Sequence, residues 1–117
     1  MSAISPSVDF NGRPVVIIKI HHSEIARKGG VYAAVRSGWR ISGARADGRA
    51  VVAVKLESSE IVGVYDVFPG AWIPCPGAPH RKEFNATPVT PAWARSLLGT
   101  QLPSRYRTGR NPIRYAN

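Results

Sequence analysis

Two runs of β-branched residues, 50–56 and 61–68, do most to limit what this chain can fold into. Each is short and rich in valine and isoleucine. Only the polar residues Glu57-Ser58-Ser59-Glu60 separate them, which is the pattern of an antiparallel hairpin. Gly63, inside the second run, marks a place for a bulge. A third run, residues 14–20, is apolar at nearly every position and predicts a strand buried on both faces. Residues 81–87 and 111–115 read as two further strands, with a basic turn over 105–109.

Helical signals are fewer. At about 100° per residue, Val31, Val35 and Trp39 fall on one apolar arc, so 31–38 predicts a short helix followed by an extended segment over 39–42. Ser23 caps a short turn that the Gly29-Gly30 pair closes. Residues 91–98 predict a second helix, with Thr90 as N-cap, Pro91 at its first position and Gly99 as stop. The loop 69–79 holds Pro69, Pro74, Pro76 and Pro79 together with Trp72. The resulting order has no regular βαβ alternation. It predicts an α+β fold: a small, strongly curved mixed sheet with two or three short helices.

A length of 117 residues fits one domain. Residues 1–12 read as a mobile lead-in ending at the Asn11-Gly12 turn, and 13–117 as the domain. Apolar runs such as 15–18 fall far short of the ~18 residues a membrane span needs, so no membrane partner is expected. The first six residues lack the basic and apolar regions of a signal peptide. Cys75, the one cysteine, permits no internal disulfide and fits a reducing cytoplasm.

The charge is the unusual property. Sixteen Lys/Arg stand against seven Asp/Glu, a formal net charge of +9, which points to an anionic partner. Its distribution is uneven: nine cations against six acids in residues 1–80, but seven against one in residues 81–117. Six of those last seven are arginines, whose planar fork binds two phosphate oxygens at once. Arg105, Arg107, Arg110 and Arg114 are therefore candidate phosphate ligands, with DNA or RNA as the partner.

Chemistry-bearing clusters are scarce. His21, His22, Glu24 and the distant His80 resemble a metal set only loosely, because adjacent strand residues point in opposite directions, so no metal or other cofactor is expected. Cys75 has no histidine that sequence places beside it. No nucleophile elbow, zinc-protease helix or phosphate loop is present. Asp66 is the one carboxylate inside an apolar strand, so the sequence leans away from an enzyme. By contrast, Tyr32, Arg36 and Trp39 at i, i+4 and i+7 can face one cleft. Trp72 in its proline-rich loop can present an indole for stacking, worth roughly 1–3 kcal/mol per base. Those four residues are the candidate ligand pocket.

The segment 30–40, with Tyr32, Arg36 and Trp39, resembles the helix-to-strand segment of a small PUA-like domain family found alone or beside GIY-YIG-type nuclease domains. The likeness continues through 50–54, 61–65, Trp72 and 81–84. It ends in Gly109-Arg110-Asn111-Pro112-Ile113-Arg114-Tyr115, its most specific part, and covers residues 14–116. Departures are the proline-rich loop and the Pro88-Val89-Thr90-Pro91 entry to the second helix. The resemblance implies a pseudo-barrel and, from EVE, YTH and ASCH relatives, a cleft that holds a modified or flipped base. The expected function is a non-catalytic nucleic-acid-binding module. The alternative is an interaction protein, such as a phage-encoded accessory factor, docking on an acidic partner or a nuclease complex.

Overall fold

A computed structural model describes residues 9–109 and 111–116. The apolar run near the N-terminus forms β1 (Val15–Ile20), buried at all six positions. It is one of the two inner strands of a four-stranded sheet that also contains β3 (Ala50–Lys55), β4 (Ile61–Tyr65) and β7 (Ile113–Ala116), in the order β4-β3-β1-β7. β1 runs parallel to β3, pairing Val15 with Ala50 and Ile20 with Lys55, while β7 and β4 are antiparallel to their neighbours. The β3–β4 hairpin carries a register shift between Ala53 and Val54. Gly63 fits there because a Cβ would lie 2.6 Å from the Tyr65 hydroxyl, so any side chain would have to displace the Tyr65 ring.

The connection from β1 to β3 holds α1 (His22–Lys28), α2 (Val31–Val35), the short strand β2 (Ser37–Trp39) and α3 (Gly43–Ala46). β2 belongs to a second, three-stranded antiparallel sheet with β5 (Ile73–Cys75) and β6 (Ala78–Glu83), in the order β2-β6-β5. The fold is α+β, as the sequence predicts: mixed strands in two sheets with a few short helices. Neither sheet closes on itself, so the expected pseudo-barrel is not what the strand pairing forms.

Alternation along β1 splits the core. Val16, Ile18 and Ile20 face a cluster with Val35, Tyr65, Trp72 and Phe84 that joins the two sheets. Val15 and Ile17 face the other side, against Val52, Ile61, Leu102 and Phe10. Phe10, in the segment expected as a lead-in, belongs to a 3-10 turn over Asp9–Gly12 and is buried; residues 1–8 lie outside the described ones. The expected second helix is instead a 3-10 turn, Ala92–Leu97. Pro91 keeps an extended backbone there and acts as its N-cap, with no side-chain cap from Thr90, and Ala94 is the residue it buries. Among the described residues no helix is long and apolar enough to cross a membrane.

Candidate functional site

A cleft of about 550 Å³ lies where the two sheets meet α1. Lys19 and Ile20 reach it from the end of β1, Ser37, Gly38 and Trp39 from β2, and Arg81 from β6. His21, Glu24, Arg27 and Lys28 form the α1 side, and Leu56, Gly109 and Pro112 complete the wall. The volume lies within the roughly 300–1,000 Å³ of small-molecule sites.

Lys19 is the unusual group. It is the one charged residue buried among the described residues, at 7% exposure. Its Nζ donates to the Arg107 carbonyl at 3.1 Å, leaving two N–H groups of the ammonium. Arg81 donates through Nη1 to the Gly38 carbonyl at 2.6 Å. That carbonyl is available because Gly38 sits in a bulge between the Ser37–Glu83 and Trp39–Lys82 pairs, at a φ of 90° that side chains rarely adopt. Among the described residues, neither Lys19 nor Arg81 has a carboxylate within ion-pair distance. The one carboxylate lining the cleft, Glu24, is taken: Arg27 grips both its oxygens at 2.6 and 3.0 Å, and Lys28 lies 4.0 Å away. The Arg27 hydrogen bond leads in holding the Glu24 carboxyl below its ordinary value.

Trp39 forms the aromatic wall. Its Nε1 donates to the Val35 carbonyl at 2.7 Å, which fixes the half-buried ring against the core and takes up its N–H. At the rim, Glu57 binds His21 Nδ1 at 3.1 Å, His22 Nδ1 at 3.0 Å and the His22 backbone N–H at 3.1 Å. A backbone hydrogen bond within Glu57, then the two histidines, depress its carboxyl to about 2. A depressed carboxylate stabilises the fold above its ordinary value of 4.5, and that contribution disappears as pH falls through the folded value. Glu57→Gln is accordingly expected to melt below wild type at pH 5, with the gap closing between about pH 4.5 and 2; thermal melts across that range check it.

Of the four expected pocket residues, only Trp39 lines the cleft. Tyr32 turns inward: its ring packs edge-on against Tyr65 and Phe84, and its hydroxyl donates to the Ala86 carbonyl and accepts from the Ala86 N–H. Arg36 is held by Asn85 at 2.8 Å and by Glu83 at 3.7 Å. Trp72 is not an exposed stacking surface. It is buried at 8% exposure, 4.9 Å from the Phe84 ring, with its Nε1 left unpartnered. The four do not converge on one cleft because α2 ends at Val35, which breaks the helical spacing before Trp39.

The expected phosphate ligands brace the tail of the chain instead of lining the cleft. Arg105 pairs with Asp9, and Arg107 donates through Nε to the Leu102 carbonyl at 2.5 Å. Arg114 donates to the Thr108 carbonyl at 3.2 Å, while Arg110 lies outside the described residues. Their loop nevertheless serves the site, since it supplies the carbonyl that anchors Lys19. Lys19 and Arg81, which line the cleft, are not among the residues expected from the sequence. For Lys19 the signal was present: one cation inside an otherwise apolar strand. Comparison with protein-family models, with curated proteins and with solved structures returned no match.

Proposed function

We propose that this chain is a nucleic-acid-binding module whose cleft receives one nucleotide. The observation that carries the reading is one cleft lined by the buried Lys19, the half-buried Arg81 and the half-buried, hydrogen-bonded Trp39, with no carboxylate paired to either cation among the described residues. Cations answer the phosphate and the indole answers the base. The net charge of +9 supplies long-range attraction for a polyanion. A base held beside Trp39 also agrees with the PUA-like resemblance, although the aromatic partners differ from those expected. A reducing cytoplasm is the setting that the lone Cys75 fits.

Titration of labelled single-stranded oligonucleotides by fluorescence anisotropy tests this. With about three phosphates neutralised, affinity is expected to fall roughly 20-fold between 50 and 200 mM salt. Arg81→Gln is expected to weaken binding and flatten the salt slope by about 0.7. Absence of binding at 50 mM salt, or binding indifferent to salt, refutes the reading; an unchanged slope in Arg81→Gln removes the cleft from it.

A further inference from the structure

A buried cation calls for an anion, and the described residues do not supply one. Lys19 lies in a strand whose other residues are all apolar, and nine tenths of its surface is out of water. Burying such a charge is costly unless it is paired, so the missing counter-charge belongs to the ligand. Donors remain for it: two N–H groups on Lys19, and those of Arg81 beyond the one given to Gly38.

Which phosphate can use them follows from depth and charge. An internal phosphodiester carries one charge on two free oxygens, and the strand continues from both of its other oxygens. To touch a buried ammonium it would have to run chain into the cleft and out again. A terminal phosphate has three free oxygens, ends the chain, and carries about −1.5 to −2 near pH 7. Lys19 and Arg81 together match that charge. We infer that the cleft recognises a terminal phosphate monoester, on a nucleic-acid strand end or a free nucleotide, with Lys19 and Arg81 sharing its oxygens and Trp39 against the adjoining base. This rests on the proposed nucleic-acid reading and adds that the strand is read at its end.

The test compares ten-residue oligonucleotides of one sequence, as DNA and as RNA, carrying a 5′-phosphate, a 3′-phosphate or only hydroxyl ends. A mononucleotide and its nucleoside are run beside them. One phosphorylated end is expected to bind at least tenfold tighter than the hydroxyl-ended strand, and Lys19→Met is expected to erase that preference. Should Lys19→Met not fold, Arg81→Gln carries the same comparison. Equal affinity for all strands overturns the inference and leaves the nucleic-acid reading standing, as does a preference undiminished in a folded variant. Binding of the mononucleotide but of no strand upholds the phosphate site and overturns the polymer reading. Binding of neither overturns both.

Discussion

Lys19→Met is expected to keep the fold as stable as wild type, or more so, while binding phosphate-bearing ligands about 10- to 150-fold more weakly. The two halves of this result have separate causes. In the fold, Lys19 is a charge with a carbonyl for a partner and no carboxylate among the described residues. Desolvating such a charge costs several kcal/mol, and a methionine of similar shape avoids it. The variant leaves the Arg107 carbonyl without this donor, a loss of about 1–3 kcal/mol that offsets part of the gain. In the complex, the same ammonium makes a charge-assisted hydrogen bond worth about 1.5–3 kcal/mol, and the variant loses all of it. Urea unfolding and anisotropy titration of one preparation measure both. If stability and affinity fall together, Lys19 is a strut for the 102–109 segment and the anion site is wrong.

The sheets were largely legible because burial on both faces writes β-branched runs into the sequence. β1, β3 and β4 follow from it, and so does the bulge at Gly63. α1 was legible only as a turn, since its seven residues bury none of their number; its end is fixed by Gly29 in the left-handed region, whose N–H bonds back to the Ile25 carbonyl. β5 was hidden by its own Pro74, which lacks a backbone donor and reads as loop. Its place at the edge of its sheet is where a strand tolerates that lack. The site was harder to read, because it is assembled across both sheets. Periodicity along one segment placed Trp39 but misplaced Tyr32, whose ring the core claims. No local pattern could place Arg81 in the same cleft as Lys19, 62 positions apart in the chain.

That assembly makes Phe84→Ala the most damaging single change expected. Phe84 has no exposed surface and follows β6 directly. Its ring lies 4.9 Å from Trp72 and 6.0 Å from Tyr32, in the cluster that joins the two sheets. Truncating a buried phenylalanine costs about 3–5 kcal/mol, a large share of the roughly 5–15 kcal/mol that holds a domain of this size. The melting temperature is expected to drop by roughly 15 °C. Tyr32→Phe is the graded control: it keeps its ring and loses the two Ala86 hydrogen bonds, so its cost is about 1–3 kcal/mol. The functional consequence follows from position. Lys19 stands on one sheet, Arg81 and Trp39 on the other, and Phe84 packs between them without lining the cleft. Loosening that contact lets the two cations drift apart even in molecules that stay folded. Phosphate affinity measured at 10 °C, below the lowered melting point, is therefore expected to fall as well. Full affinity in a folded Phe84→Ala sample would mean that the packing between the sheets does not set the distance between the site's two halves.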